Sequence, residues 1–406
     1  MNALRSCLTR RIRLASVLRL QRSFAATTRI LGIESSCDDT CAAIVTNEGQ
    51  VLASVQQSQH KLNKQNRGVI PSVAAKQHAT SLPVVVEGAL REAGISSVEK
   101  DIDAVALTIG PGLAPCLGAG LEFAQSFCKE HKKPLVLVNH MEAHAMAPTM
   151  HNCVFYPCLG FMVSGGNTEV VYIPDHLHPF EVVGETVDDA CGECIDKVYR
   201  CISELGLDVV QSDGLKHGGA LISALAKEHD KATDKQPLSF PLPMARQRTA
   251  DFSFAGLKTF SIRALQRMKA TGDWTRPSIV RFCYYFEQAV VRHLLHKLNF
   301  AVSLFPEAHC LCCGGGVMSN QLLRERLQAF GEEHQMEVLI PPLAECTDNA
   351  VMIAWRGLQL WEAGRSIVPY QEVDAVRYED RLPFERMSLS PVSDKSSFHF
   401  KLLSNL

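Results

Sequence analysis

At 406 residues, with 46% hydrophobic and 21% charged residues, the chain is too long for one ordinary domain and has the make-up of a globular protein, so two lobes are expected. Nothing in it approaches the roughly 20 consecutive apolar residues of a membrane-crossing helix, so no membrane span is expected. A formal net charge of −2 gives no ground for a polyanion partner.

The first 33 residues stand apart. They carry seven arginines (Arg5, Arg10, Arg11, Arg13, Arg19, Arg22 and Arg29), and the first acidic residue is Glu34. Such an arginine-rich, acid-free stretch reads as a mitochondrial transit peptide over residues 1–29, addressed to the matrix; a basic tail with no targeting role is the alternative. Without those 33 residues the chain holds 34 basic against 43 acidic residues, a formal −9, so any nucleic-acid contact must be a local patch.

Order begins at Ile30. ILGIESS, CAAIVT and VLASV, separated by the polar turns DDT and NEG, predict three short strands in an antiparallel meander. Helical spacing over 73–93 stops at Gly94, then come the strand DAVALTIG, the loop GPGLAP, a helix over about 117–130 and the strand PLVLV. The pattern then restarts with CLGFMVS, TEVVYI and FEVVGE, again split by polar turns, and a helix over about 189–204. Two such copies predict a duplicated, two-lobed α/β fold, with lobes at 30–150 and 151–365. Proteins of the actin, sugar kinase and heat-shock ATPase class are built this way, with a nucleotide cleft between the lobes. Residues 232–260 read as a loop-rich insertion and 276–305 as a long helix, and 366–406 is an unassigned extension. Fifteen cysteines lie in apolar runs (Cys310, Cys312, Cys313) and helix-like segments (Cys191, Cys194, Cys201), which points to reduced, packed thiols. Cys191 and Cys194 have the spacing of a metal knuckle, but no second pair accompanies them.

The sharpest constellation is His140-Met-Glu-Ala-His144. Histidines at i and i+4 share one helix face and can chelate a divalent ion, although a chance or surface pair has the same spacing. The zinc-protease motif places its glutamate directly after the first histidine; here that position is Met141, and Glu142 points about 200° away. Further on, Thr347 or Asp348 could cap the helix that opens at AVMIAW. Ser164-Gly165-Gly166-Asn167 lies between two strands, where backbone N–H groups can approach a phosphate or simply turn a hairpin. Gly314-Gly315-Gly316 leaves a strand and opens a helix carrying Asn320, next to which a ribose or purine could lie. Of the acids in ETVDDACGECIDK, Asp188 and Asp189 suit the helix dipole, and Asp196, deeper in, suits a ribose. Residues 244–269 hold six basic groups (Arg246, Arg248, Lys258, Arg263, Arg267, Lys269) against Asp251, with Phe252 and Phe254 interleaved, as an RNA-facing patch or a solvated helix face would.

Taken in order, LGIESSCDDT, RGVIPSVAAKQH, TIGPGLAPCLGAG, NHMEAH, MVSGGNTE, GETVDDACGECIDK, FSFAGLKT, GGGVMSN and CTDNAVMIA resemble the tRNA N6-adenosine threonylcarbamoyltransferases, in their mitochondrial branch. The resemblance implies that His140, His144 and Asp348 hold one divalent metal ion per subunit; zinc, iron, manganese and magnesium all suit such donors. It implies that Met162, Val163, Ser164, Gly165, Gly166, Asp196, Gly219 and Asn320 bind threonylcarbamoyl-AMP, supplied by a separate synthase. Glu34, Ser35 and Lys258 would be catalytic, orienting the reacting groups, with tRNA as acceptor and a homodimer as the working form. Two departures stand out: Leu215-Lys-His-Gly-Gly219-Ala where a Pro-Gly-Gly-Pro turn is usual, and Asn66-Arg67 for Gly-Gly. A zinc protease and a non-enzymatic actin-like scaffold are the competing readings, the first lacking its base and the second having no use for the histidine pair.

Overall fold

The computed structural model describes residues 27–59, 62–63, 68–206, 218–230, 234, 237–382 and 384–386; the departures at Asn66-Arg67 and Leu215–His217 lie outside them, as do residues 1–26. The chain forms two units, Met1–Cys153 with Asn349–Leu382, and Val154–Asp348 with Pro383–Leu406.

The first unit opens with the expected meander β1 (Arg29–Glu34), β2 (Asp39–Thr46) and β3 (Val51–Ser58). Next come α1 (Pro71–Glu92), a single turn α2 (Val98–Asp101), β4 (Ala104–Gly110), α3 (Ala114–His131), β5 (Leu135–Asn139) and α4 (His140–Met146). β1, β2 and β3 pair antiparallel, whereas β4 joins β1 and β5 joins β4 in parallel through helical crossovers. β1 and β2 are apolar on both faces because both are covered: Leu31, Ile33, Ala42 and Ile44 face one core, Ile30, Cys41, Ala43 and Val45 another.

The second unit repeats the plan. β6 (Cys158–Val163), β7 (Thr168–Ile173) and β8 (Glu181–Glu185) form an antiparallel meander, followed by α5 (Cys191–Glu204), α6 (Gly218–Lys227), α7 (Ala255–Ala270) and α8 (Arg276–Leu304). Then β9 (Cys310–Gly314) pairs parallel to β6, and after α9 (Gln321–His334) β10 (Glu337–Leu339) pairs parallel to β9. The order β10-β9-β6-β7-β8 reproduces β5-β4-β1-β2-β3, the duplication expected from the repeated strand-turn pattern. The stretch read as a loop-rich insertion is held by one buried cation: Lys297 of α8 donates to the carbonyls of Met244, Gln247 and Thr249 at 3.0–3.2 Å. Its last residues are helical, since α7 begins at Ala255.

The second boundary differs from the sequence reading. Helix α10 (Ala350–Glu362), placed there in the 151–365 lobe, belongs to the first unit, as does β11 (Ile367–Val368), which adds antiparallel to β5; β12 (Glu385–Arg386) pairs with β8. α10 supplies Ile353, Ala354 and Leu358 to the face of the first sheet opposite α1 and α3. Its approach is possible because Gly32 has no side chain: a Cβ there would lie 2.5 Å from Ala350 O and 2.6 Å from Ala354 N. No local pattern could reveal this, because the helix is apolar whichever sheet it covers.

Candidate functional site

α4 starts where β5 ends. Asn139 caps it, its Oδ1 accepting from Met141 N (2.8 Å) and Glu142 N (3.2 Å) while its Nδ2 donates to Leu382 O (3.1 Å). Successive turns of the helix therefore present His140 and His144 together, both buried, with ring centroids 4.7 Å apart and planes at 90°. Glu142, expected to point away, does: its carboxylate pairs with buried Arg356 of α10, Oε2 lying 2.7 and 2.9 Å from two guanidinium nitrogens.

The helix cap at the other end of the chemistry was misplaced. Neither Thr347 nor Asp348 caps α10; Asn349 does, accepting from Met352 N at 3.0 Å. Asp348 is one peptide bond upstream of that cap, so its position follows α10. One ligand atom each from His140, His144 and Asp348 lie within 4.8 Å of one another. Two imidazole nitrogens and a carboxylate oxygen at that spacing fit a divalent ion.

Glu34 ends β1 and is fully buried. One oxygen accepts from Ser36 N (2.6 Å), and the other from Thr108 Oγ (2.5 Å) while facing His140 Nδ1 at 3.0 Å. A carboxylate can only accept here, so the imidazole proton belongs on Nδ1 and Nε2 keeps its lone pair for a ligand. This orienting bond was not foreseen, although Glu34 itself was singled out. Ser35 is buried, and its hydroxyl donates to Cys116 O at 3.3 Å, in the packing between β1 and α3.

Lys258 of α7 pairs with Asp189. The neighbouring Asp188 does not serve its own helix: it accepts from Phe254 N (2.7 Å), Ala255 N (3.2 Å) and Ser253 Oγ (2.6 Å), capping α7 from outside. Burial is the largest single influence and pushes its carboxyl up, but these bonds together with one from Asp189 N outweigh it and hold the group below the usual range. Phe252 and Phe254 are buried, so they are not stacking groups; Arg246, Arg263, Arg267 and Lys269 are exposed. Cys191 and Cys194 are buried thiols, burial pushing Cys194 up to about 12.

Within the second unit lies a cavity of about 500 Å³, the size of a small-molecule site. Gly165, Asp196, Gly219 and Asn320 line it, four of the eight residues expected to bind the adenylate. Gly192 of α5 also lines it and lies against the Ser164 turn, its N–H donating to Ser164 O at 3.0 Å. Met162 and Val163 do not line it; they are fully buried in β6. Ser164 and Gly166 belong to the turn, where Ser164 Oγ accepts from Asn167 N at 3.0 Å. Crowding by protein raises the carboxyl of Asp196, with Arg200 opposing and Glu193 adding to the effect. Ser223, Lys227 and Glu287 are among the wall residues that escaped the sequence reading. The only hint was an acid in the otherwise apolar face of FCYYFEQAVV.

Residues 50–355 match the family model of the tRNA N6-adenosine threonylcarbamoyltransferases. The chain is 39% identical over 336 residues to the tRNA N6-adenosine threonylcarbamoyltransferase of Paracoccus denitrificans, covering 82% of this chain and 89% of that one. It is 39% identical over 339 residues to the enzyme of the same name from Bacillus thuringiensis strain Al Hakam, covering 83% and 93%. Among solved structures, full-length HypF in its phosphate- and nucleotide-bound form is similar in fold, with a TM-score of 0.51 and 13% identity over 83% of this chain and 46% of HypF.

Proposed function

The chain belongs to the tRNA N6-adenosine threonylcarbamoyltransferase family, and on that premise we propose that it transfers the threonylcarbamoyl group from threonylcarbamoyl-AMP to N6 of the adenosine 3′ to the anticodon. The acceptors are mitochondrial tRNAs that read codons beginning with A. The exocyclic amine attacks the carbamoyl carbonyl carbon; the new C–N bond replaces the C–O bond to phosphate, N6 gives up a proton, and AMP leaves with the electron pair of the broken bond. No covalent enzyme intermediate is needed.

His140, His144 and Asp348 would hold the divalent cation on which this family depends. When bound, such an ion neutralises charge on phosphate or carboxylate oxygens of the donor. Glu34, 3.0 Å from Nδ1 of His140, would fix the ring's proton on that nitrogen and make Nε2 the donor to the ion. The second unit's cavity takes the nucleoside of the adenylate, with apolar walls for the base and Asp196 for a hydroxyl. The exposed arginines of 244–269 offer tRNA phosphates a local basic face on a net acidic body.

The gathering of two histidines and an aspartate on this fold carries the reading. It also disfavours a protease, because Met141 stands where the hydrolytic glutamate belongs and Glu142 is bound to Arg356. Three finer points belong to the same proposal: import into the mitochondrial matrix by the arginine-rich segment, supply of the donor by a separate synthase, and a homodimeric working form. In the test, His140→Ala/His144→Ala is compared with wild type for bound metal and for transfer to tRNA. Both should fall to background with the thermal melt preserved; a double variant that modifies tRNA at the wild-type rate overturns the metal's role.

A further inference from the structure

Asn320 was expected to touch the nucleotide, but its hydrogen bonds are already committed. Its Oδ1 caps α9 by accepting from Leu323 N (2.8 Å), which fixes which end of the amide is oxygen. That leaves Nδ2 directed at Ser223 Oγ (2.9 Å) and Glu287 Oε1 (2.6 Å), using both of its hydrogens. Ser223 in turn gives its hydroxyl proton to the same Glu287 oxygen at 2.5 Å. One end of the cavity is therefore a closed set of three residues with no donor left over. Glu287 Oε1 receives two hydrogen bonds; Oε2 receives none among the described residues, on a side chain that lines the cavity.

We propose that Glu287 is a specificity-determining residue that accepts a hydrogen bond from a donor group of the bound nucleoside, with Asn320 and Ser223 as its positioning residues. The assignment rests on the reading that this cavity takes the nucleoside of the adenylate. Glu287 is half-buried, and its Oε2, on a carboxylate held in place by two donors on the sister oxygen, faces a bound ligand as a fixed acceptor that pairs well only with a proton donor. A nucleoside has two kinds of donor that could meet it, the ribose hydroxyls and the exocyclic amine of adenine. An acceptor there rejects a ligand that offers only an acceptor, which discriminates more sharply than an apolar wall can.

Glu287→Gln inverts the code without changing size. Ser223 and Asn320 both donate, so the glutamine must keep its carbonyl oxygen toward them and turn its NH2 into the cavity, donor against donor. Calorimetric titration of the full chain with AMP, 2′,3′-dideoxy-AMP and IMP reads this out. AMP should bind Glu287→Gln about tenfold or more weakly than wild type. The analogue lacking the recognised donor, the dideoxy compound for a hydroxyl or IMP for the amine, should bind wild type weakly and lose nothing further in the variant. The other analogue should lose as much as AMP does. Should Glu287→Gln fail to fold, Glu287→Asp, which withdraws the carboxylate while keeping its charge, should show the same pattern. Unchanged AMP affinity in the variant, or equal weakening of all three ligands, overturns the role of Glu287 alone. Failure of wild type to bind AMP overturns the nucleoside reading of the cavity, and this assignment with it.

Discussion

Glu169 lies in β7 opposite Glu185, only 7% exposed, and its Oε1 has no hydrogen-bond partner. Loss of water, then the neighbouring Glu185, push its carboxyl up from 4.5 to about 7, with Asn167 opposing. A carboxyl that holds its proton more tightly when folded than when unfolded favours the fold at low pH. That contribution is complete below about 4.5 and is lost as pH rises to about 7, at a cost of roughly 3 kcal/mol. Glu169→Gln should therefore melt higher than wild type at pH 8 and close to it at pH 4.5; parallel melting curves at the two pH values would refute the cause given. Glu34→Gln should weaken divalent-metal affinity about tenfold in a chelator competition, because the amide loses the charge that orients His140. At this scale the histidines were legible, since one helical spacing brings both together. Glu34's bond to His140 was not, because 106 residues separate the partners. The capping role of Asn349, one residue from the positions considered, shows how closely a cap and a ligand can sit.

Among the elements, α7 depends on a cap it does not contain. Asp188→Ala should cost about 1–2 kcal/mol in thermal or denaturant unfolding, the usual penalty for a lost N-cap; a smaller loss than an exposed surface alanine change would show the three bonds to be idle. Gly32→Ala forces a methyl against the backbone of α10 and should cost about 1–3 kcal/mol or shift that helix. The meanders and the long helices were legible because their apolar period is local and strong: 276–305 was expected and Arg276–Leu304 found. β11, with two residues, carries no period to detect. The ordering of residues 244–249 by Lys297 was equally hidden, since a lysine in a helix gives no sign that it faces inward.

At the level of the whole molecule, the duplicated plan could be read from the repeat of strand, polar turn and strand, and both sheets have that topology. Unit membership was less legible: the chain passes from Asp348 of one unit to Asn349 of the other without a glycine-rich or proline-rich linker. The exposed basic groups near α7 give a salt-dependent prediction as well. Neutralising Arg263 and Arg267 together should lower tRNA affinity about equally across tRNA sequences and flatten its dependence on salt. The most direct test of the transferase account is nucleoside mass spectrometry of unmodified tRNA after incubation with the wild-type protein, divalent metal and threonylcarbamoyl-AMP. The account predicts N6-threonylcarbamoyladenosine in the digest and a matching release of AMP; AMP release with adenosine left unmodified would contradict it.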